Sequence, residues 1–270
     1  MQDILKVEKI SFSYDSVKQV LESIDFALKE GEKVALLGAN GTGKSTLMKL
    51  MMGLLKPSSG DMYFKVSMNN KASKNNKASK NHEQSNENHW NSLDVKEVRK
   101  QIGYVFQNAE DQLFCASVFD DVAFGVRNYI DSVTGKKLSN SEVERRTLEA
   151  LSAVEALHLK DRAPYNLSGG EKRAVAIATV LSMQPRIILM DEPSTALDPF
   201  SRRNLILLLK KISQTLLITT HDLELALEVC DRVLVINHGR IVADGHPCDV
   251  LSNSEVLSQN RLEMPYSLRT

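Results

Sequence analysis

What this 270-residue chain lacks narrows its function before any motif is read. It has no charge of one sign to spare. Its 34 Lys and Arg are balanced by 34 Asp and Glu, so it lacks the cationic surplus with which a dedicated DNA or RNA binder neutralises phosphates. No apolar run approaches the roughly 20 residues that cross a bilayer. The first ten residues alternate charged and apolar types, without the apolar centre and small-residue cleavage site of a secretion signal. The chain is therefore expected on the cytoplasmic side. Cysteine is scarce: Cys115, Cys230 and Cys248 stand at long, irregular spacings, which suits free or buried thiols in a reducing compartment and not a disulfide framework. What is present is ample apolar content, 42%, enough to give one large or two small domains a full core.

Along the chain, residues 4–14 and 32–37 read as strands. After a glycine-rich turn, residues 44–55 carry Leu47, Leu50, Met51, Leu54 and Leu55 at helical spacing. Residues 67–91 change character to Asn, Lys, Ser and Glu, with a perfect tandem hexamer at 69–74 and 75–80. That stretch reads as a disordered insertion. A strand at 101–106 leads into a helix-rich middle over about 108–184. Within it Ser139 and Glu142 form a candidate capping box for a helix over 143–157. The last third alternates strand 186–190, helix 202–213, strand 215–220 and helix 223–230, the pattern of a parallel sheet. Runs at 232–236 and 240–243 around Asn237, His238 and Gly239 predict a closing hairpin.

Three constellations carry chemistry. Gly38, Gly43, Lys44 and Ser45, with Asn40 and Gly41 between them and Thr46 after, fit the phosphate-binding loop between a strand and a helix. Its backbone N–H groups face phosphates, Lys44 reaches the β and γ phosphates, and the Ser45 hydroxyl can ligate magnesium. The apolar run 187–190 delivers Asp191 and Glu192 to a strand's carboxyl end, where ligands sit in open α/β sheets. Asp191 would hold magnesium through water, and Glu192 would polarise the attacking water. Leu167, Ser168, Gly169, Gly170 and Glu171 open a helix over 172–181, so a serine and two glycines stand at an anion-binding helix N-terminus.

In this order the three motifs resemble the ATPase subunit of ABC transporters, over nearly the whole chain. The resemblance implies a P-loop α/β fold with a mostly parallel core sheet, an N-terminal antiparallel β subdomain and a helical signature subdomain. The cassette would span 1–245, with a short C-terminal extension at 246–270. It implies ATP and Mg2+ as cofactors, Tyr14 stacking on adenine, Gln107 touching magnesium and water, and His221 contacting the γ phosphate. Residues 195–198 resemble the loop that crosses the dimer interface. Glu171 stands where glutamine is commoner, which leaves Ser168 and the glycines intact. Two cassettes would sandwich two ATP molecules, each between one phosphate loop and the other subunit's Ser168, Gly169 and Gly170. The second ATPase subunit would be a copy or a related chain.

Asp111, Gln112, Leu113 and Phe114, then Ser117, Val118 and the run 121–125, resemble the segment after the glutamine in energy-coupling-factor importer ATPases, closest to the cobalt and nickel branch. There this segment receives a transmembrane subunit, which makes Leu113, Phe114, Val118 and Phe124 candidate contacts for a transporter partner on the membrane's cytoplasmic face. Another importer substrate, a vitamin or an amino acid, is the alternative. A soluble ABC protein clamping nucleic acid is disfavoured by the single cassette, zero net charge and absence of a coiled-coil arm or zinc cysteines. His82 and His89 in the insertion, like His238 and His246, lack a fixed coordination geometry and read as solvated.

Overall fold

A computed structural model describes residues 2–15, 18–65, 87–89, 95–129 and 136–269, with the backbone alone at 87–89 and 95–97. In chain order the elements are β1 (Asp3–Ser13), β2 (Gln19–Lys29), β3 (Lys33–Leu37), α1 (Lys44–Met51), β4 (Ser59–Lys65), β5 (Glu87–His89), α2 (Val95–Gln101), β6 (Ile102–Val105), α3 (Val118–Arg127) and α4 (Asn140–Ala153). There follow α5 (Gly169–Leu181), β7 (Ile187–Asp191), α6 (Pro199–Lys211), β8 (Thr215–Thr219), α7 (Leu223–Val229), β9 (Arg232–Asn237), β10 (Arg240–Gly245), α8 (Pro247–Ser252) and α9 (Ser254–Gln259).

One sheet runs β2-β1-β4-β5 and is antiparallel. The other runs β10-β9-β3-β8-β7-β6; its five strands β9 to β6 are parallel, and β10 closes it as the expected hairpin. The parallel strands are covered on both faces, which is why their sequences are continuous apolar runs and not alternating ones. Val34, Leu36, Leu189, Leu217 and Leu234 face the antiparallel sheet and α1. Ala35, Leu37, Ile188, Ile218 and Val235 face the helical layer from α3 to α9. Each such fully buried aliphatic side chain contributes about 1.5–3 kcal/mol, so the parallel sheet is the rigid frame of the molecule.

Several boundaries differ from the sequence expectation. Helix α1 stops at Met51 and not at Leu55, because Gly53 adopts φ +64. Its amide then reaches the Leu50 carbonyl, and the Leu54 amide the Lys49 carbonyl, at 2.9 Å each, a Schellman stop. Helix α4 starts where Ser139 caps it, Oγ accepting from the Glu142 amide. The Glu142 carboxylate turns to Arg145 and Arg146, so the capping box is half made. The expectation of disorder over 67–91 is corrected at Glu87–His89, which pair with β4 as a strand; the remainder lies outside the described residues, as does His82. Residues 246–270, expected as a short extension, include α8 and α9, whose Val250, Leu251 and Leu257 join the helical-layer core.

Candidate functional site

Because β3, β6, β7 and β8 run parallel, their carboxyl ends open on one edge of the sheet, and the loops that follow them meet there. They line a cleft of about 500 Å3 with Tyr14, Asn40, Gly41, Gly43, Lys44, Ser45, Thr46, Gln107, Asp191, Glu192, Thr195 and His221 on its walls. Gly38 contributes through its carbonyl. Thus every residue read from the sequence as touching ATP or magnesium falls here, except Ser168, Gly169 and Gly170.

The phosphate loop wraps because glycine permits it: Gly43 sits at φ +105 as the N-cap of α1, and a Cβ there would lie 2.5 Å from Leu21. Lys44 Nζ donates to the carbonyls of Gly38 at 2.6 Å and Ala39 at 3.1 Å, and lies 3.5 Å from His221 Nε2. Burial pushes the Lys44 ammonium below its ordinary value, while the Glu192 and Asp191 carboxylates pull it back. His221 Nε2 is also 3.0 Å from Asn40 Oδ1. At the rim, the Tyr14 hydroxyl lies 3.2 Å from Thr46 Oγ1, with its ring edge-on to Phe12.

Asp191 is held from three sides. Thr219 Oγ1 donates to its Oδ1 at 2.6 Å, and the hydroxyls of Ser45 and Tyr104 donate to Oδ2 at 3.2 and 3.0 Å. The sequence reading missed Thr219 and Tyr104. Thr219 is placed by strand register, opposite Asp191 across the β7–β8 pair, and Tyr104 reaches over from neighbouring β6. Burial first, then the Asp191 charge, drives the Tyr104 hydroxyl well above its ordinary value, so it is a fixed donor. Glu192, 8% exposed, takes the left-handed backbone at φ +46, an unfavourable conformation for a non-glycine residue. Its amide donates to the carbonyl and hydroxyl of Thr219 at 3.0 and 3.1 Å. Its Oε2 accepts the His221 amide at 3.0 Å, and its buried Oε1 has no hydrogen-bond partner.

The signature residues lie elsewhere. Ser168 caps α5 with a complete capping box: its hydroxyl accepts from the Glu171 amide, and Glu171 Oε2 accepts the Ser168 amide at 2.8 Å. Ser168 and Gly170 border a second cleft of about 430 Å3 with Phe200, Ser201 and Asn204. A Cβ on Gly170 would come within 2.3 Å of Ser201 Oγ, so only glycine lets α5 start so close to α6. Ser168 and Gly170 therefore line a cleft separate from that of the phosphate loop.

Of the four apolar candidates for a partner surface, Leu113 and Val118 are buried in the helical-layer core; they are core residues, and their reading as contacts is corrected. Phe114 and Phe124 are 67% and 48% exposed and stack edge to face at 5.0 Å. All three cysteines are free thiols; Cys230 is buried and Cys248 exposed. Burial pushes the Cys230 thiol up to about 12. Among the described residues, no helix is long and apolar enough to cross a membrane, and no group of three or more His, Cys, Asp and Glu is arranged to hold a metal ion.

The geometry agrees with the comparison to known proteins. The family model described as ABC transporter matches residues 21–195. The chain belongs to that family. It is an ABC ATPase cassette that binds ATP. A Geobacter sulfurreducens protein named generically as an ABC transporter ATP-binding protein is 41% identical over 266 residues, 98% of this chain and 96% of the relative. The energy-coupling factor transporter ATP-binding protein EcfA of Carboxydothermus hydrogenoformans is 37% identical, over 97% of this chain and 87% of that protein. Among solved structures, cbiO1 of Clostridium perfringens, described as part of the ABC transporter complex cbiONQ, is similar with TM-score 0.76 and 36% identity, covering 96% of this chain and 94% of that one. The dimeric bacterial cassette MJ0796 is similar with TM-score 0.71 and 26% identity, covering 90% of this chain and 99% of that one. Cassettes of this family work as dimers with transmembrane subunits.

Proposed function

We propose that this cassette hydrolyses ATP to energise an importer of the energy-coupling-factor type, bound peripherally at the cytoplasmic face of the membrane, with cobalt or nickel ions as cargo. The observation that carries the chemistry is the meeting in one cleft of Lys44 and Ser45 with Asp191, Glu192 and His221. The importer type is supported by the likeness to EcfA and cbiO1 and by the run from Asp111 to Gly125, which presents the exposed Phe114–Phe124 pair to a transmembrane subunit.

The residues present fit magnesium. Ser45 Oγ and Asp191 Oδ2 already lie 3.2 Å apart, and with the Gln107 side-chain oxygen they make the all-oxygen donor set this hard cation prefers. When bound, magnesium neutralises charge on the β and γ phosphates. Tyr104 and Thr219 fix the Asp191 carboxylate for that task. Lys44 holds the phosphates, and Tyr14 meets adenine at the rim. Glu192 Oε1, buried with no hydrogen bond and 3.3 Å from His221 Nε2, is the oxygen that would orient the attacking water; its other oxygen is committed to the His221 amide, so the carboxylate cannot rotate freely. His221, whose Nε2 stands 3.3 Å from Glu192 Oε1 and 3.5 Å from Lys44 Nζ, orients the γ phosphate beside them. The half-site at Ser168, Gly169 and Gly170 serves the nucleotide held by a second cassette, with the N-terminal dipole of α5 facing its γ phosphate. Closure on ATP and release after hydrolysis form the two-state switch that moves the membrane partner.

The test is the solution mass of the purified Glu192→Gln chain, by light scattering with and without magnesium ATP. Doubling on ATP supports the shared-site reading with a second copy as partner; a monomer that binds ATP moves the second half-site to a different chain. Co-purification of the membrane subunits followed by uptake of radiolabelled cobalt, nickel or vitamin into vesicles decides the cargo.

A further inference from the structure

Helix α5 grips the loop that bears Gln107 along one stripe. Lys172, Arg173, Ala176 and Thr179 stand on neighbouring turns of one face. The Arg173 side chain crosses to the loop, where Nη1 donates to the Phe106 carbonyl at 2.6 Å and Nη2 donates to the Gln107 carbonyl at 2.5 Å. Gln112 closes the loop from its other side. Its Oε1 accepts the Phe106 amide at 3.0 Å, and its Nε2 donates to the Ala176 carbonyl at 2.8 Å and to Thr179 Oγ1 at 2.7 Å. Lys172 pairs with Glu110 just beyond. Both main-chain groups of Phe106 and the carbonyl of Gln107 are thus fastened to α5.

Arg173 is costly where it stands. It is 4% exposed, its Nε has no partner, and burial pushes the guanidinium below its ordinary value with no carboxylate opposing the shift. The loop it holds is not itself interior: Phe106 is 41% exposed and Gln107 lines the nucleotide cleft. A buried cation spent on two carbonyls of an exposed loop fixes where that loop sits; it does not fill the core. The helix it belongs to begins at Ser168, five residues earlier, about 8 Å away at 1.5 Å per residue.

We infer that Arg173 is a positioning residue that makes Gln107 and the helix carrying Ser168 move as one body, so that the nucleotide seated on Ser168 sets the glutamine of the other nucleotide site. The inference rests on the proposed roles of Gln107 and Ser168. Arg173 lines the cleft of Ser168 and Gly170, but its two Nη groups are committed to the loop carbonyls; it acts through the backbone of Gln107, because a planar fork can hold two carbonyls at once where a lysine holds one.

The experiment compares Arg173→Met, Arg173→Lys, Gln107→Ala and Arg173→Met with Gln107→Ala, in the assembly that turns over ATP. Arg173→Met is expected to bind ATP within about threefold of the parent, since Lys44 and Ser45 are untouched, and to lose about tenfold or more in kcat, a kcat loss without a KM loss. Adding Gln107→Ala to it should cost less than about twofold more, the non-additivity of residues acting as a unit. Arg173→Lys should fall between. Fully multiplicative losses, with Gln107→Ala slow by itself, overturn the coupling and leave the role of Gln107 standing. Normal turnover of Gln107→Ala removes that role and the inference with it. Should Arg173→Met not fold, Gln112→Ala tests the same link by hydrogen exchange: faster exchange across 104–110 with unchanged exchange across 187–191 is expected, and unchanged exchange at both overturns it.

Discussion

Glu192 and His221 are joined through the main chain of one and the side chain of the other: Glu192 Oε2 accepts the His221 amide at 3.0 Å. That contact ties the loops after β7 and β8 together, and leaves Glu192 Oε1 buried without a hydrogen bond, 3.3 Å from His221 Nε2. On the proposed reading, this acidic residue at a strained φ of +46, with one oxygen tethered and one without a hydrogen bond, orients the attacking water. Glu192→Gln keeps the tethering acceptor and removes the charge. Such a variant should bind ATP like the parent and hydrolyse it at least about a hundredfold more slowly. Single-turnover hydrolysis in the assembled complex checks this, and a parent-like rate would take Glu192 out of the base role.

Lys44→Ala addresses the other wall. The ammonium is already partly stripped of water in the cleft, its charge held by the loop carbonyls and the two carboxylates. A phosphate group would replace the neutral carbonyls in direct contact with the ammonium by an anionic partner, so losing Lys44 removes a charge-assisted contact worth about 1.5–3 kcal/mol and up to a hundredfold or so in affinity. Titration calorimetry with ATP is the measurement; near-parental affinity contradicts the reading of the loop.

How much of this was legible before the structure depends on what each residue's role requires. The phosphate loop needs backbone conformations only glycine adopts easily, and Asp191 and Glu192 need a buried strand to deliver them, so both left a local trace. The antiparallel strands β2 and β4 left a weak one. The β1–β2 register shifts between Val7 and Ile10, and Lys9 and Ser23 sit at φ +49 and +48 beside the shift, which breaks the period-two alternation that marks a strand. Tyr104 and Thr219 were invisible for another reason: their part in the site comes from which strands are neighbours in the sheet. Leu113 and Val118 looked like surface contacts beside Phe114 and Phe124 because apolar residues in one short run cannot be sorted into inward and outward sets before the loop and the helix α3 they sit on are placed.

Glu171 completes the capping box of α5, and that geometry would serve equally with glutamine. Its Oε2 accepts from the amide and the hydroxyl of Ser168, and those hydrogen bonds hold its carboxyl below the usual range. Glutamine can make the same reach from this third helical position, whereas alanine cannot. Glu171→Ala should cost about 1 kcal/mol, or about 2–4 °C in Tm for a chain of this size, and Glu171→Gln should melt within about a degree of the parent by the same scale. Calorimetric melting separates them; equal losses for both would mean that the charge, and not the cap, is what matters there.

The ion pair between Arg202 and Asp222 fixes the residue that follows His221. Arg202 Nε and Nη2 donate to the two Asp222 oxygens at 2.5 and 2.7 Å, and Asp222 also caps α7 by accepting the Leu225 amide. Burial raises the Asp222 carboxyl, but the Arg202 hydrogen bonds, the Leu225 amide and the Arg202 charge outweigh it, so the net value lies below the ordinary one. A folded-state value below the unfolded one of about 3.9 gives stability that is present above that pH and lost as pH falls through the folded value. Arg202→Met removes the cationic partner and leaves a half-buried carboxylate with the Leu225 amide as its remaining backbone donor. The variant should be less stable than the parent by about 1.5–3 kcal/mol at neutral pH. The gap should hold down to about pH 5, shrink as pH falls through the unfolded value of about 3.9, and close only below the lower folded-state value that Asp222 has in the parent. Urea melts of the two chains at pH 7, 5 and 3.5 provide the comparison, in which the other carboxylates titrate alike and cancel. A gap that stays constant across that range would show that Arg202 stabilises through packing of its aliphatic stem and not through Asp222.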